Sequence, residues 1–169
     1  MENSKTYPLW HPVYWLCTWG HCGLSPKAPG TVGSLLALPY AWVVLEYFGA
    51  QLLLIASIIC FFIGWYVSEL YVRKTGREDP KEVVIDEVAG MWLVLAAIGV
   101  FSVEVNLAYY LAAFILFRVF DIIKPWPVSW ADKKIKGGFG IMLDDILAAL
   151  YAIITVSYTH LTLPTICSV

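Results

Sequence analysis

Long apolar stretches limit the fold of this chain more than any other feature of its sequence. Of the 169 residues, 60% are hydrophobic and only 14% are charged, a composition far more apolar than that of an ordinary soluble domain. Five apolar runs lie at residues 31–48, 52–67, 88–103, 107–120 and 146–158. The pattern predicts an all-α fold, a multi-helix integral membrane bundle.

Several of the runs are shorter than the roughly 20 residues that cross the core of a bilayer. We therefore expect short transmembrane helices that recruit flanking residues or thin the membrane locally. A compact soluble helical bundle stays open as an alternative. We expect a single domain at residues 1–156. Residues 157–169, SYTHLTLPTICSV, carry no charge and no clear helical face, and they are predicted to be a non-native tail.

Lys and Arg residues are confined to three parts of the chain. All eleven lie near the N-terminus (Lys5 and Lys27), in residues 73–81, or in residues 118–136. If the apolar runs alternate across a membrane, these parts share one face, and the opposite face carries only Glu46 and Glu104 at its turns. The positive-inside rule then predicts that the basic loops face the cytoplasm.

The first polar motif, GLSPKAPGTVGS at residues 23–34, directly precedes an apolar run. Thr31 or Ser34 could cap the helix that follows, whose free backbone N–H groups and positive dipole end suit a phosphate. Lys27 adds a mobile cation. The alternative is a Pro/Gly-rich turn and a capped helix without a ligand.

The second motif is EVVIDEVAGMW at residues 82–92. On a helix, Glu82, Asp86 and Gly90 share one face at i, i+4 spacing, and Glu87 lies beside them. Two or three carboxylates would thus stand at the membrane boundary. An acidic first turn that complements the helix dipole explains Glu82 well, and Asp86 and Glu87 less well.

The third motif is FRVFDIIKPWP at residues 117–127. A spacing of three places Arg118, Asp121 and Lys124 on a shared helix face, and Pro125 ends the helix. The motif could be an internally neutralised stripe of ion pairs. Two cations for one acid leave a positive surplus, however, and that surplus could hold a phosphate.

The fourth motif is KGGFGIMLDDILA at residues 136–148. Its three glycines permit close backbone approach to a ligand. The adjacent Asp144 and Asp145, expected at the start of a helix, would attract a hard cation such as Mg²⁺, which prefers oxygen ligands. The alternative is a pair of helix-capping acids beside a solvated basic flank, since Asp132 is followed by two lysines.

Together the motifs place five acids and three bases on one side of one membrane. The acids are Asp86, Glu87, Asp121, Asp144 and Asp145, and the bases are Lys27, Arg118 and Lys124. Carboxylates with a divalent cation, next to cationic groups, are the equipment of phosphoryl chemistry.

The four motifs, in this order and over nearly the whole chain, resemble the phosphatidylglycerophosphatase A family. The resemblance implies a Mg²⁺-dependent enzyme of the bacterial inner membrane, with its site facing the cytoplasm, that hydrolyses phosphatidylglycerophosphate to phosphatidylglycerol and phosphate. It implies the lipid and the bilayer as partners and no nucleic acid. The carried-over catalytic acids are Asp86, Glu87, Asp121, Asp144 and Asp145; the phosphate-binding residues are Lys27, Thr31, Arg118 and Lys124; and the metal ligands are Glu87, Asp121, Asp144 and Asp145.

The spacing alone leaves the role of each acid open, and Asp86 could serve as the base. Two other classes remain as alternatives. A membrane phosphatidyl transferase would also place acids and Mg²⁺ at the cytoplasmic face, but its DGxxAR motif is absent. A small ion-binding transport protein would favour charges near the bilayer midplane and repeated halves, and neither pattern is found here.

Overall fold

The computed structural model describes residues 6–101 and 106–166, with side chains as far as residue 158. The helices are α1 (Pro12–Cys17), α2 (Pro29–Phe48), α3 (Ala50–Thr75), α4 (Ile85–Phe101), α5 (Leu107–Ile123), α6 (Val128–Lys134) and α7 (Gly137–Ile166), with a short 3₁₀-helix at Cys22–Leu24. The described residues contain no strand. The predicted all-α bundle is confirmed.

Three helices are long and apolar enough to cross a membrane: α2, α3, and α7 over Gly137–Tyr158. The helices α4 and α5 have 17 residues each, which corresponds to about 25 Å. Large apolar side chains cover the outside of the bundle, as at Ile59 and Phe62, each more than half exposed. Such a surface suits lipid, so the architecture is consistent with a helical membrane bundle. Val103 and Glu104, at the predicted turn after α4, lie outside the described residues.

The helix α4 occupies the centre of the bundle and packs against α2, α3, α5 and α7. Small residues let the helices approach closely, as is common in membrane bundles. A Cβ added to Gly90 would lie 2.7 Å from the ring of Phe117 on α5, and one added to Gly64 of α3 would lie 2.7 Å from the Met142 side chain of α7. The first turn of α4, with Asp86 and Glu87, is thereby surrounded by other helices.

The start of α2 differs from the prediction. The helix begins at Pro29, after Ala28 in the left-handed region (φ 47°), and no side chain caps it. The hydroxyl of Ser34 instead donates to the carbonyl of Gly30 within the helix, at 2.8 Å. The prediction that Thr31 or Ser34 caps this helix was wrong, because Pro is well suited to the first helical position and starts α2 two residues earlier than Thr31.

Glu82 does not share a helix face with Asp86. The helix α4 begins only at Ile85, after a turn in which the N–H of Val83 donates to the carbonyl of Pro80 at 3.0 Å. Glu82 pairs with Arg77 and accepts a 2.9 Å hydrogen bond from the hydroxyl of Tyr71. Glu82 therefore belongs to a local ion pair and not to the carboxylates of α4.

Asp144 and Asp145 do not lie at the start of their helix, as was expected. The helix α7 begins at Gly137, about two turns earlier, because an acceptor from α3 completes its first turn, as described below. It also continues through Ile166 into the predicted tail. The division at residues 156 and 157 stays a prediction, and residues 167–169 lie outside the described part.

Candidate active site

A polar cavity of about 270 Å³ opens at the end of the bundle where α2 and α4 begin, α5 ends, and α7 begins. Its charged lining residues are Glu78, Asp79, Lys81, Asp86, Glu87, Arg118, Asp121, Lys124, Asp132, Lys136, Asp144 and Asp145. The lining thus has eight carboxylates and only four basic groups. A phosphate would meet strong repulsion here unless cations compensated the surplus of negative charge.

Three carboxylates form the most crowded part of the cavity. Oxygen atoms of Asp86, Glu87 and Asp145 all lie within 4.8 Å of one another. Asp86 is 9% exposed and Asp145 only 3%. In the described part of the chain, neither Glu87 Oε2 nor Asp145 Oδ2 has a hydrogen-bond partner. Buried carboxylates at this separation repel one another when they are ionised, and a hard divalent cation bound by their free oxygens would offset that repulsion.

Arg118 brings a positive charge next to Glu87, one of these three acids. Its Nη1 lies 2.7 Å from Asp121 Oδ2, one turn along α5, and 3.8 Å from Glu87 Oε1 on α4. The predicted shared face is therefore confirmed for Arg118 and Asp121. It was wrong for Lys124, which lies after the last residue of α5. The buried Nε of Arg118 has no hydrogen-bond partner among the described residues, so the guanidinium retains a donor for an anion.

Lys124 ends α5 and joins three helices. Its backbone lies in the left-handed region (φ 47°, ψ 62°), which is uncommon for a residue with a side chain. Its Nζ donates to Asp132 Oδ1 on α6 and to Asp144 Oδ2 on α7, both at 2.6 Å. Burial alone would lower the pKa of Lys124, but the two carboxylates outweigh burial and raise this pKa. Lys124 is therefore a permanently charged link between α5, α6 and α7.

The start of α2 forms another wall of the cavity through Ala28, Pro29 and Gly30. A Cβ at Gly30 would lie only 2.0 Å from Glu87 Oε1 and 3.2 Å from Arg118 Nη1. Glycine thus leaves the Glu87 carboxylate in place where the backbone of α2 meets the side chains of α4 and α5, and a larger residue would push it aside. The first N–H groups of a helix have no partner within the helix, and they offer an anion donors of the kind the sequence motif predicted.

Seven of the nine predicted site residues line this cavity, namely Asp86, Glu87, Arg118, Asp121, Lys124, Asp144 and Asp145. The other two, Lys27 and Thr31, belong to the loop and first turn beside the lining but are not part of it. Lys27 is exposed and Thr31 is half-buried.

Sequence reasoning missed the part played by Asp132. With two lysines directly after it, Asp132 resembled part of a solvated basic flank, yet it shares the ammonium group of Lys124 with Asp144. No local pattern reveals this contact, because it depends on how α6 folds back towards α5.

Of the three glycines of the fourth motif, Gly137 and Gly140 line the cavity. Gly138 instead serves packing between helices, because a Cβ on it would lie 2.3 Å from the backbone of α3.

Comparisons with known proteins agree with the motifs. Residues 15–160 match the model of the family described as Phosphatidylglycerophosphatase A. A Haemophilus influenzae protein named Phosphatidylglycerophosphatase A is 41% identical over 157 residues, which cover 92% of this chain and 94% of that protein. The Escherichia coli K12 protein of the same name is 38% identical over 128 residues, 76% of this chain and 72% of that protein.

A third relative carries a different name. A Bacteroides thetaiotaomicron protein, named provisionally as a phosphatidylinositol-3-phosphatase, is 39% identical over 141 residues, 80% of this chain and 85% of that protein. No solved structure matches the chain.

Proposed function

Because this chain belongs to the phosphatidylglycerophosphatase A family, we propose that it hydrolyses the terminal phosphate of phosphatidylglycerophosphate in a Mg²⁺-dependent step of phospholipid biosynthesis. The observation that carries the proposal is the cavity itself, in which crowded carboxylates, two of them with an oxygen that lacks a partner, lie beside Arg118 and Lys124. Oxygen ligands for a divalent cation and donors for a phosphate are the two requirements of metal-assisted phosphomonoester hydrolysis.

The donor set fits Mg²⁺, since all the ligands on offer are carboxylate oxygens. We propose Glu87 and Asp145 as ligands because each has a buried oxygen without a partner, with Asp86 as the third member of the group. Asp121 and Asp144, which the sequence also suggested, use one oxygen each in ion pairs with Arg118 and Lys124, so only their second oxygens would be available as ligands while those pairs persist. A Mg²⁺ ion held there would supply Lewis-acid polarisation of the phosphate and acidify a water molecule.

The bases and the start of α2 would bind the phosphate. Arg118 has an unpaired Nε and can donate to a phosphate oxygen without leaving Asp121. The N–H groups of the first turn of α2, which lies close to both Glu87 and Arg118, add neutral donors. Lys27 and Thr31 are proposed only as contacts to the outer part of the head group, because they lie outside the cavity lining.

Asp86 remains the proposed base if the ligands are the other acids. Its Oδ1 accepts the backbone N–H of Glu87 at 3.0 Å, which fixes the carboxylate at the start of α4. A base held in this way can accept the proton of an attacking water without a change of rotamer. An Asp86→Asn variant separates the two roles, since loss of a base lowers kcat at every Mg²⁺ concentration, whereas loss of a ligand is relieved in part by excess Mg²⁺.

The proposed location is the bacterial inner membrane, with the cavity facing the cytoplasm. The cavity lies at the same end of the bundle as the basic segments 73–81 and 118–136, which the positive-inside rule assigns to the cytoplasm. The acyl chains of the substrate would stay in the bilayer, so the phosphate would be presented near the membrane surface.

Phosphate release from phosphatidylglycerophosphate in detergent micelles tests the proposal, with Mg²⁺ and then with excess EDTA. We expect release that requires Mg²⁺ and exceeds release from phosphatidic acid. Folded protein that releases no phosphate under either condition would refute the proposal and return attention to a transferase or an ion-binding transport protein.

Phosphatidylinositol 3-phosphate should be included as a further substrate. The name of the Bacteroides thetaiotaomicron relative favours this second candidate function, and the same cavity chemistry would serve both lipids. A higher kcat/KM for the inositol lipid would make it the substrate in place of phosphatidylglycerophosphate.

A further inference from the structure

The helix α7 begins without a capping side chain of its own. Gly137, its first residue, lies in the left-handed region (φ 81°), and the preceding Lys136 has no side-chain acceptor. The missing acceptor comes from α3, where Glu69 Oε2 accepts the N–H of Gly138 at 2.8 Å. A carboxylate from a neighbouring helix thus performs the function that an N-cap residue normally performs.

The same place fixes α7 against α3 by direct backbone contact. A Cβ on Gly138 would lie 2.3 Å from the Glu69 nitrogen and 2.6 Å from the carbonyl oxygen of Trp65. The rings of Trp65 and Phe139 pack with centroids 5.0 Å apart. The hydrogen bond, the glycine contact and the aromatic pair together fix the first turn of α7, both in its position along the helix axis and in its rotation about that axis.

Asp145 lies seven residues after Gly138, which is about two helical turns along the same face. A shift of the first turn is therefore transmitted along the helix to Asp144 and Asp145, which line the cavity. Glu69 itself is not part of the cavity lining. Any effect of Glu69 on the chemistry must pass through the placement of α7.

We propose that Glu69 is a positioning residue, which places the acids of α7 for metal binding by capping α7 from α3. The inference rests on the proposed function, in which Asp145 is a metal ligand. The positioning role depends on the length of the Glu69 side chain more than on its charge. The second oxygen of Glu69 pairs with Arg73, but the Arg73 side chain is 75% exposed, and exposed pairs of this kind contribute little.

Three substitutions separate reach from charge. Glu69→Gln keeps an oxygen at the same distance from Gly138 and loses the charge. Glu69→Asp keeps the charge and loses one methylene of reach, and Glu69→Ala loses both. We expect Glu69→Gln to behave as the unchanged protein, and Glu69→Asp and Glu69→Ala to be impaired. Arg73→Ala, which removes only the exposed ion pair, should have no effect.

Two readouts are needed, one of which does not depend on activity. The first is the Mg²⁺ concentration that gives half of the Mg²⁺-induced rise in Tm, which should increase about tenfold in Glu69→Ala, as is common when a group that supports metal ligands is lost. The second is kcat for phosphatidylglycerophosphate at saturating lipid, which should fall by about tenfold or more with KM unchanged.

A control variant separates positioning from general destabilisation. Ser57→Ala removes a buried 2.8 Å hydrogen bond between α3 and the carbonyl of Ala89, far along α3 from Glu69. It should lower Tm and leave the Mg²⁺ midpoint unchanged. Equal effects of Ser57→Ala and Glu69→Ala on the midpoint would overturn the inference.

The comparison of Glu69→Gln with Glu69→Asp decides the matter even where Glu69→Ala does not fold. A Glu69→Gln variant as impaired as Glu69→Asp, or more so, would overturn the inference. If the unchanged protein gains Tm with Mg²⁺ but releases no phosphate, the proposed function fails while the Mg²⁺ midpoints still test Glu69. If Mg²⁺ has no effect on the Tm of the unchanged protein, there is no Mg²⁺ binding for Glu69 to support, and the positioning role is refuted.

Discussion

Asp145 lies where an ionised side chain is costly to bury. Its side chain is almost completely buried, one of its oxygens lacks a partner, and two other carboxylates lie within 4.8 Å. A residue chosen for packing alone would not carry a charge there. Sites that sacrifice stability for chemistry show this pattern, and substitutions at such sites often stabilise while they inactivate.

We therefore expect Asp145→Asn to abolish phosphate release and to preserve or raise stability in EDTA. The loss should exceed the roughly 10–100-fold that the loss of an outer-shell partner causes. The amide removes one charge from the crowded group, which should raise the free energy of unfolding by about 1 kcal/mol. Phosphate release and thermal unfolding in EDTA measure the two effects.

Glu46→Gln is the matched control for the loss of one carboxylate, because Glu46 is exposed near the far end of α2. It should change neither measurement. A clear fall in Tm for Asp145→Asn in EDTA would contradict the argument, since it would mean that the charge of Asp145 is stabilised by its surroundings.

Gly30 is the second residue whose substitution should affect the cavity, because its backbone lies against Glu87. In Gly30→Ala the new methyl group would lie 2.0 Å from Glu87 Oε1, so Glu87 must move away from its neighbours. We expect phosphate release to fall by about tenfold or more, because small displacements of reacting groups are costly. The measurement is kcat/KM for phosphatidylglycerophosphate at saturating Mg²⁺.

Gly99→Ala provides comparable crowding far from the cavity. Its new Cβ would lie 2.9 Å from the Cβ of Ala50, towards the opposite end of α4. This variant should lose stability and keep kcat/KM. Full activity of Gly30→Ala would show that the position of Glu87 is not critical to the reaction.

At the scale of helices, Lys124 holds α5, α6 and α7 together at the cavity. Lys124→Met would leave Asp144, whose side chain is only 10% exposed, without its cation. We expect a loss of about 2 kcal/mol in the free energy of unfolding, which is within the usual range for a hydrogen bond to a charged group. Asp132→Asn should cost less, because the Asp132 side chain is 34% exposed.

The double variant Lys124→Met, Asp132→Asn shows whether the two residues act as a unit. We expect a coupling energy of about 1 kcal/mol from a thermal-unfolding cycle. Additive losses would indicate that the 2.6 Å contact between them contributes nothing to stability in solution.

The sequence predicted the helices better than it predicted their ends. Apolar runs identified the bundle, and the spacing of three correctly placed Arg118 beside Asp121, because both lie on one helix. The start of α7 could not be predicted, since its cap is Glu69, which lies 69 positions before its partner Gly138 in the chain. The contact of Asp132 with Lys124 escaped for the same reason: partners from different helices leave no local pattern.

At the scale of the whole molecule, the distribution of basic residues and the position of the cavity lead to one prediction about the orientation of the protein in the membrane. We expect a cysteine introduced at Lys81, an exposed residue at the cavity, to react with a membrane-impermeant maleimide only in inside-out vesicles. A cysteine introduced at Gln51, exposed near the start of α3, should react only in right-side-out vesicles. Labelling intensity in the two preparations is the measurement.

The background for this labelling requires Cys22→Ser and Cys167→Ser, whereas Cys17 and Cys60 are buried and can stay. Burial raises the pKa of the Cys17 thiol to about 12, which further suppresses its reaction at neutral pH, since the thiolate is the nucleophile. Reaction of both introduced cysteines from the same side would contradict the proposed topology.

The central position of α4 has a consequence for biosynthesis. Asp86 and Glu87 enter the membrane with α4, but Asp145, which lies within 4.8 Å of their oxygens, belongs to α7 and is translated some sixty residues later. Until α7 has inserted, the carboxylates of α4 lack the third member of the group. If these acids form the site as proposed, a partly inserted chain cannot assemble it, and activity is acquired only when the ribosome has delivered the last of these helices.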